Sequence, residues 1–75
     1  MTKLLPITAR EVIKKLKKAG FMFDRQAKGS HEIWYNPNTG RRTTVPNHPG
    51  INIPKGTLRA IIREAGLTLE EFLNL

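Results

Sequence analysis

The chain carries two imidazoles, His31 and His48, among thirteen basic and six acidic side chains, with no cysteine. His31 follows Gly29-Ser30, and His48 lies between Asn47 and Pro49, settings that favour exposed rings. A lone histidine is most often a surface or capping residue. Two of them in a chain of net charge +7 support a more specific chemistry, because such a charge selects polyanionic partners. Cleaving RNA through its own 2′-hydroxyl needs a group to take that proton, another to protonate the departing 5′-oxygen, and positive charge around the phosphorus. Histidine and lysine suffice. The nucleophile belongs to the substrate and already lies beside the phosphate, so no metal is required.

Other chemistries are poorly supplied. Without cysteine there is no disulfide, thiolate zinc site or cysteine nucleophile, a usage that fits a reducing compartment such as the cytoplasm. His31 and His48 lack HxxxH or HExxH spacing, and Asp24, Glu32 and Glu64 add no patterned ligand set, so no metal site is expected. Ser30 has no G-x-S-x-G elbow around it, and the Gly29-Ser30 connector lacks the spacing of a phosphate-binding loop. No cofactor is expected.

The elements that must position these residues follow from periodicity. Seventy-five residues hold one small core, so residues 1–75 are expected to form a single domain. From Thr8 to Ala19, the residues Val12, Ile13, Leu16 and Ala19 share one side of a helix, with Thr8 and Glu11 as a capping box and Gly20 as the stop. Arg10, Lys14, Lys17 and Lys18 form a cationic stripe on the other side. A solvated face is the default for such a stripe, and the charge surplus makes it a candidate rail for phosphates.

Phe21 to Gln26 alternates as a strand, Ala27 to Ser30 is a polar connector, and His31 to Asn36 reads as a second strand. Pro37 to Gly40 is a turn before a third strand, Arg41 to Val45. Because Ile33, Trp34 and Tyr35 are consecutive, alternation leaves open which side of the second strand is buried. Pro46, Pro49, Gly50 and Pro54 make the next stretch a loop. A helix is expected over Thr57–Ala65, burying Leu58, Ile61, Ile62 and Ala65. Thr68 and Glu71 then start a short last helix that docks Leu69, Phe72 and Leu73. The predicted class is α+β, a three-stranded antiparallel sheet with helices packed on one face.

Lys55, Gly56 and Thr57 combine a cation, a bare backbone and a hydroxyl at a helix start, which suits a phosphate. Gly56 and Thr57 equally serve to begin and cap that helix, and this is the preferred reading. Lys28, Arg41 and Arg42 are further candidate RNA contacts, with Lys14, Lys17, Lys18 and Lys55. Trp34 and Tyr35 could stack bases, but so small a core needs at least one of them. Residues Met1 to Leu5 lack the features of a signal peptide, and no apolar stretch is long enough to cross a membrane, so no membrane partner is expected.

Taken together, Gly20-Phe21 after a basic helix, Gly29-Ser30-His31, the Pro37–Gly40 turn, Pro46-Asn47-His48, Pro54-Lys55-Gly56-Thr57-Leu58 and Ala65-Gly66-Leu67 resemble the HicA-type toxins, small ribonucleases also grouped as YcfA-like proteins. The resemblance runs from the first helix to Leu73. It implies an α-β-β-β-α fold similar to the double-stranded-RNA-binding domain, metal-independent cleavage of messenger RNA, growth arrest, and neutralisation by a HicB-like antitoxin. It places the catalytic histidine at His31 and a second histidine at His48. Many relatives carry a basic residue where this chain has Asn47. A monomer is expected when the partner is absent. The rival expectation is a non-catalytic double-stranded RNA reader, in which His31 would touch 2′-hydroxyls across a minor groove. Such readers generally start their last helix with a dense lysine cluster, whereas Lys55 stands alone here.

Overall fold

The computed structural model describes residues 6–75, so the expectation about Met1 to Leu5 lies outside the described residues. The element order is α1 (Ala9–Lys18), β1 (Met22–Gln26), β2 (His31–Asn36), β3 (Arg41–Pro46), α2 (Lys55–Glu64) and α3 (Leu69–Leu73). The strands form one antiparallel sheet in the order β1-β2-β3. This is the predicted α+β class.

Helix α1 begins where Thr8 closes its capping box. The Glu11 N–H donates to Thr8 Oγ1, and Thr8 N–H donates to Glu11 Oε1. Ala9, Val12 and Leu16 form its buried face. At its far end Gly20 adopts φ +102°, a left-handed conformation that favours glycine, and lies against the Asn36 side chain. That close approach has a purpose: buried Asn36 donates from Nδ2 to the Ala19 carbonyl and accepts the Asn38 N–H, joining the end of α1 to the β2–β3 turn.

Pairing of Trp34 with Thr43 and of Glu32 with Val45 puts these residues on one face of the sheet, against the helices. This answers what alternation left open: Trp34 is the inward aromatic, and Tyr35 is the outward one, stacked by Arg42 at 4.6 Å. Strand β1 starts one residue later than predicted, since Phe21 is a core residue ahead of it. Its register slips between Phe23 and Arg25, which leaves Asp24 as an extra residue free to contact Arg25 and Arg42.

Helix α2 buries Leu58, Ile61 and Ile62, with Ala65 buried at its C-cap, as its spacing requires. It begins at Lys55, two residues earlier than predicted. Helix α3 repeats the capping box with Thr68 and Glu71 and inserts Phe72 into the core. Lys15 secures that docking. Its ammonium lies 5.4 Å from the Phe72 ring centre and donates to the Leu73 and Leu75 carbonyls, complementing the negative end of α3.

Candidate functional site

The start of β2 and the segment after β3 are locked together, and this junction positions both histidines. The Asn47 N–H donates to the Ser30 carbonyl at 2.9 Å, and Ser30 Oγ lies 3.0 Å from His48 Nε2. Half-buried Glu32 accepts from Asn47 Nδ2 at 2.8 Å on one oxygen and from Trp34 Nε1 at 3.1 Å on the other. A carboxylate with both oxygens engaged in a partly dehydrated setting holds its neighbours firmly.

On one side of this junction lies a groove of about 640 Å³ between α1 and the loop after β3. Arg10, Lys14 and Lys17 form its helical wall, with Asn47, His48 and Gly50 opposite. The periodicity that buries Val12 and Leu16 therefore lines the groove with cations. Lys17 also places its ammonium 5.7 Å from the Trp34 ring centre. Lys18 is exposed beyond this lining.

His31 opens elsewhere. Its N–H donates to the Lys28 carbonyl, and its own carbonyl accepts from the Ala27 N–H and from Gln26 Nε2, so the backbone is fixed. The imidazole is exposed, with no hydrogen-bond partner among the described residues. It lines a concavity of about 470 Å³ together with Thr44, Pro46, Gly56, Thr57 and Glu64. The N-cap of α2 is Pro54, which makes no side-chain cap, and the first turn contains no acid. The preferred capping role of Gly56 and Thr57 is thus corrected: both lie inside the first turn, and its amides meet no capping oxygen. The space that a Cβ on Gly56 would take is open, so a ligand can approach that backbone closely.

The two histidines therefore line different concavities on either side of the Ser30–Asn47 junction. Lys14 and Lys17 accompany His48; Lys55 opens the helix beside His31, and Lys28 lies in the turn leading into it. Arg41 and Arg42 accompany neither ring. Arg41 donates to the Glu64 carbonyl at the end of α2, and Arg42 pairs with Asp24 at 3.5 Å over Tyr35. Sequence reasoning missed the Glu32 clamp and the Ser30 contact to His48. Asn47 lies 15 residues from Glu32 and His48 lies 18 from Ser30, beyond any local spacing signal.

Among the described residues, no group of three or more His, Cys, Asp or Glu side chains could hold a metal ion. No described helix is long and apolar enough to cross a membrane. No curated protein sequence matches the chain. The family model for the HicA toxin of bacterial toxin-antitoxin systems matches residues 9–67, from the first residue of α1 to just beyond α2. With that match covering most of its length, the chain belongs to the HicA toxin family.

Proposed function

We propose that this toxin is a metal-independent endoribonuclease that cuts messenger RNA in the cytoplasm, with His31 as the catalytic group. The observation that carries the reading is the free His31 imidazole facing the uncapped first turn of α2 in one concavity. In the proposed reaction His31 takes the proton from a ribose 2′-hydroxyl as that oxygen attacks the adjacent phosphorus. The bond from phosphorus to the 5′-oxygen breaks, leaving a 2′,3′-cyclic phosphate and a 5′-hydroxyl once the leaving oxygen gains a proton. Amides at the positive end of α2 and the Lys55 ammonium oppose the charge that builds on the phosphoryl oxygens, and Lys28 adds to this field.

The groove along α1 holds the strand on the His48 side of the cut, with Lys14 and Lys17 on its phosphates and Lys18 beyond. A strand crossing the Ser30–Asn47 junction passes from one ring to the other, which makes His48 the second candidate proton carrier. The antitoxin partner is a HicB-like acidic protein that covers this cationic surface, and its association is expected to weaken with salt.

The test is incubation of the pure protein with RNA in EDTA. Wild type cleaves, and His31→Ala loses about 100-fold or more, the usual weight of a proton-transfer group. Full activity in His31→Ala, or activity only with added metal, rejects the mechanism. Tight duplex binding without any cleavage would instead favour the non-catalytic reader.

A further inference from the structure

Phe23 is half exposed, while its aromatic partner Trp34 is buried. Its ring centre lies 5.8 Å from that of Trp34, at an interplanar angle of 77°. Pairing with Trp34 places Phe23 on the side of the sheet where the helices pack, yet all five residues of β1 are exposed, so no helix covers it. Trp34 is also the ring over which Lys17 lies, and Lys17 is a wall of the cationic groove. The groove's Lys17 and the uncovered Phe23 ring therefore share one neighbour, the Trp34 indole.

From this arrangement we infer that Phe23 is a stacking seat for an unpaired base of a single-stranded RNA whose phosphates lie along Arg10, Lys14 and Lys17. The inference rests on the RNA reading above and specifies the substrate as single-stranded at this point. A basic channel with an aromatic face near it is what a single strand needs, since charge follows its backbone and any base can stack. A duplex keeps its bases stacked on one another and has none to offer. A protein partner is a poorer match. Met22, the other exposed apolar residue of β1, projects to the opposite face of the strand, so the two do not form one apolar patch.

The experiment measures binding of a fluorescent 2′-O-methyl oligoribonucleotide of about ten nucleotides, a typical span for such grooves, whose masked 2′-oxygens prevent cutting. A duplex of the same sequence is run in parallel. Phe23→Leu keeps an apolar side chain beside Trp34 without a π-face, and Phe23→Trp restores one. Expected for Phe23→Leu is about tenfold weaker binding of the single strand, within the range for one stacked base, with duplex binding unchanged and Phe23→Trp at or above wild type. Wild-type binding by Phe23→Leu overturns the seat while leaving the RNA reading intact. Equal losses for single strand and duplex, or a loss confined to antitoxin binding, also overturn it. No binding of either RNA by wild type removes the RNA reading and the seat with it.

Discussion

The flank of α1 and the tip of α2 both present positive potential, and they are built in opposite ways. At α1 the helix start is closed by a reciprocal capping box, and the opposing wall is tied down by Glu32, Asn47 and Trp34. Its charge comes from side chains that reach into a fixed groove. At α2 the helix start is left open, without a side-chain cap or an acid in its first turn, and the neighbouring imidazole has no hydrogen-bond partner among the described residues. Polar groups satisfied within the protein stabilise it; groups left unsatisfied at a solvent-facing concavity remain free for a ligand. The satisfied and the open helix start thus lie apart, with the Ser30–Asn47 junction between them.

The contrast can be broken most severely at the clamp. Glu32→Ala strips the acceptors from the Trp34 indole and the Asn47 amide, and is expected to cost about 2 kcal/mol in denaturant unfolding. On a domain of this size that is a large share of the total, of order 0.1 kcal/mol per residue. An unchanged unfolding midpoint would mean that the groove wall does not depend on it.

At the other end, Pro54→Asp supplies α2 with the cap it lacks. The new carboxylate would occupy first-turn amides, while loss of the proline ring offsets the gain, so stability shifts by less than about 1 kcal/mol. RNA cleavage under the same conditions falls about tenfold, because the added charge and the occupied amides oppose a phosphate there. Undiminished cleavage would show that the α2 tip does not serve the reaction.

The two helix starts should also respond differently to loss of a threonine hydroxyl. Thr8→Ala removes a formed cap and is expected to cost about 1 kcal/mol. Thr57→Ala, in the first turn of α2, removes a hydroxyl that caps nothing and should stay within about 0.5 kcal/mol. Equal losses in thermal unfolding would contradict the distinction between the two helix starts.

Much of this architecture is legible from residue order. The period of Val12 and Leu16, the Thr8 and Thr68 capping boxes, and the turn at Pro37–Gly40 all act within a few residues of one another, so local sequence carries them. The extra residue at Asp24 does not show, because a bulge is defined by what lies on the neighbouring strand. Nor does the early start of α2: Pro54 is compatible with a loop or a helix start, and the core contacts of Leu58 and Ile61 choose between them. The cationic stripe on α1 is visible in the sequence, but its pairing with His48 depends on how the 46–54 loop returns to α1. Ile53 N–H bonded to the Ile7 carbonyl and the bridge between Thr8 and Asn52 achieve that return. For the same reason, the approach of the first turn of α2 to His31 is not readable, whereas the exposure of His31 follows from the polar residues before it.

If His31 directs a ribose oxygen against its own phosphate, the ends of the cut RNA record it. Products made in EDTA by the wild-type protein should carry 2′,3′-cyclic phosphate and 5′-hydroxyl ends, and a substrate with 2′-deoxyribose at the cut position should remain whole. Fragments bearing 5′-phosphates, or scission at the deoxyribose, would contradict the account.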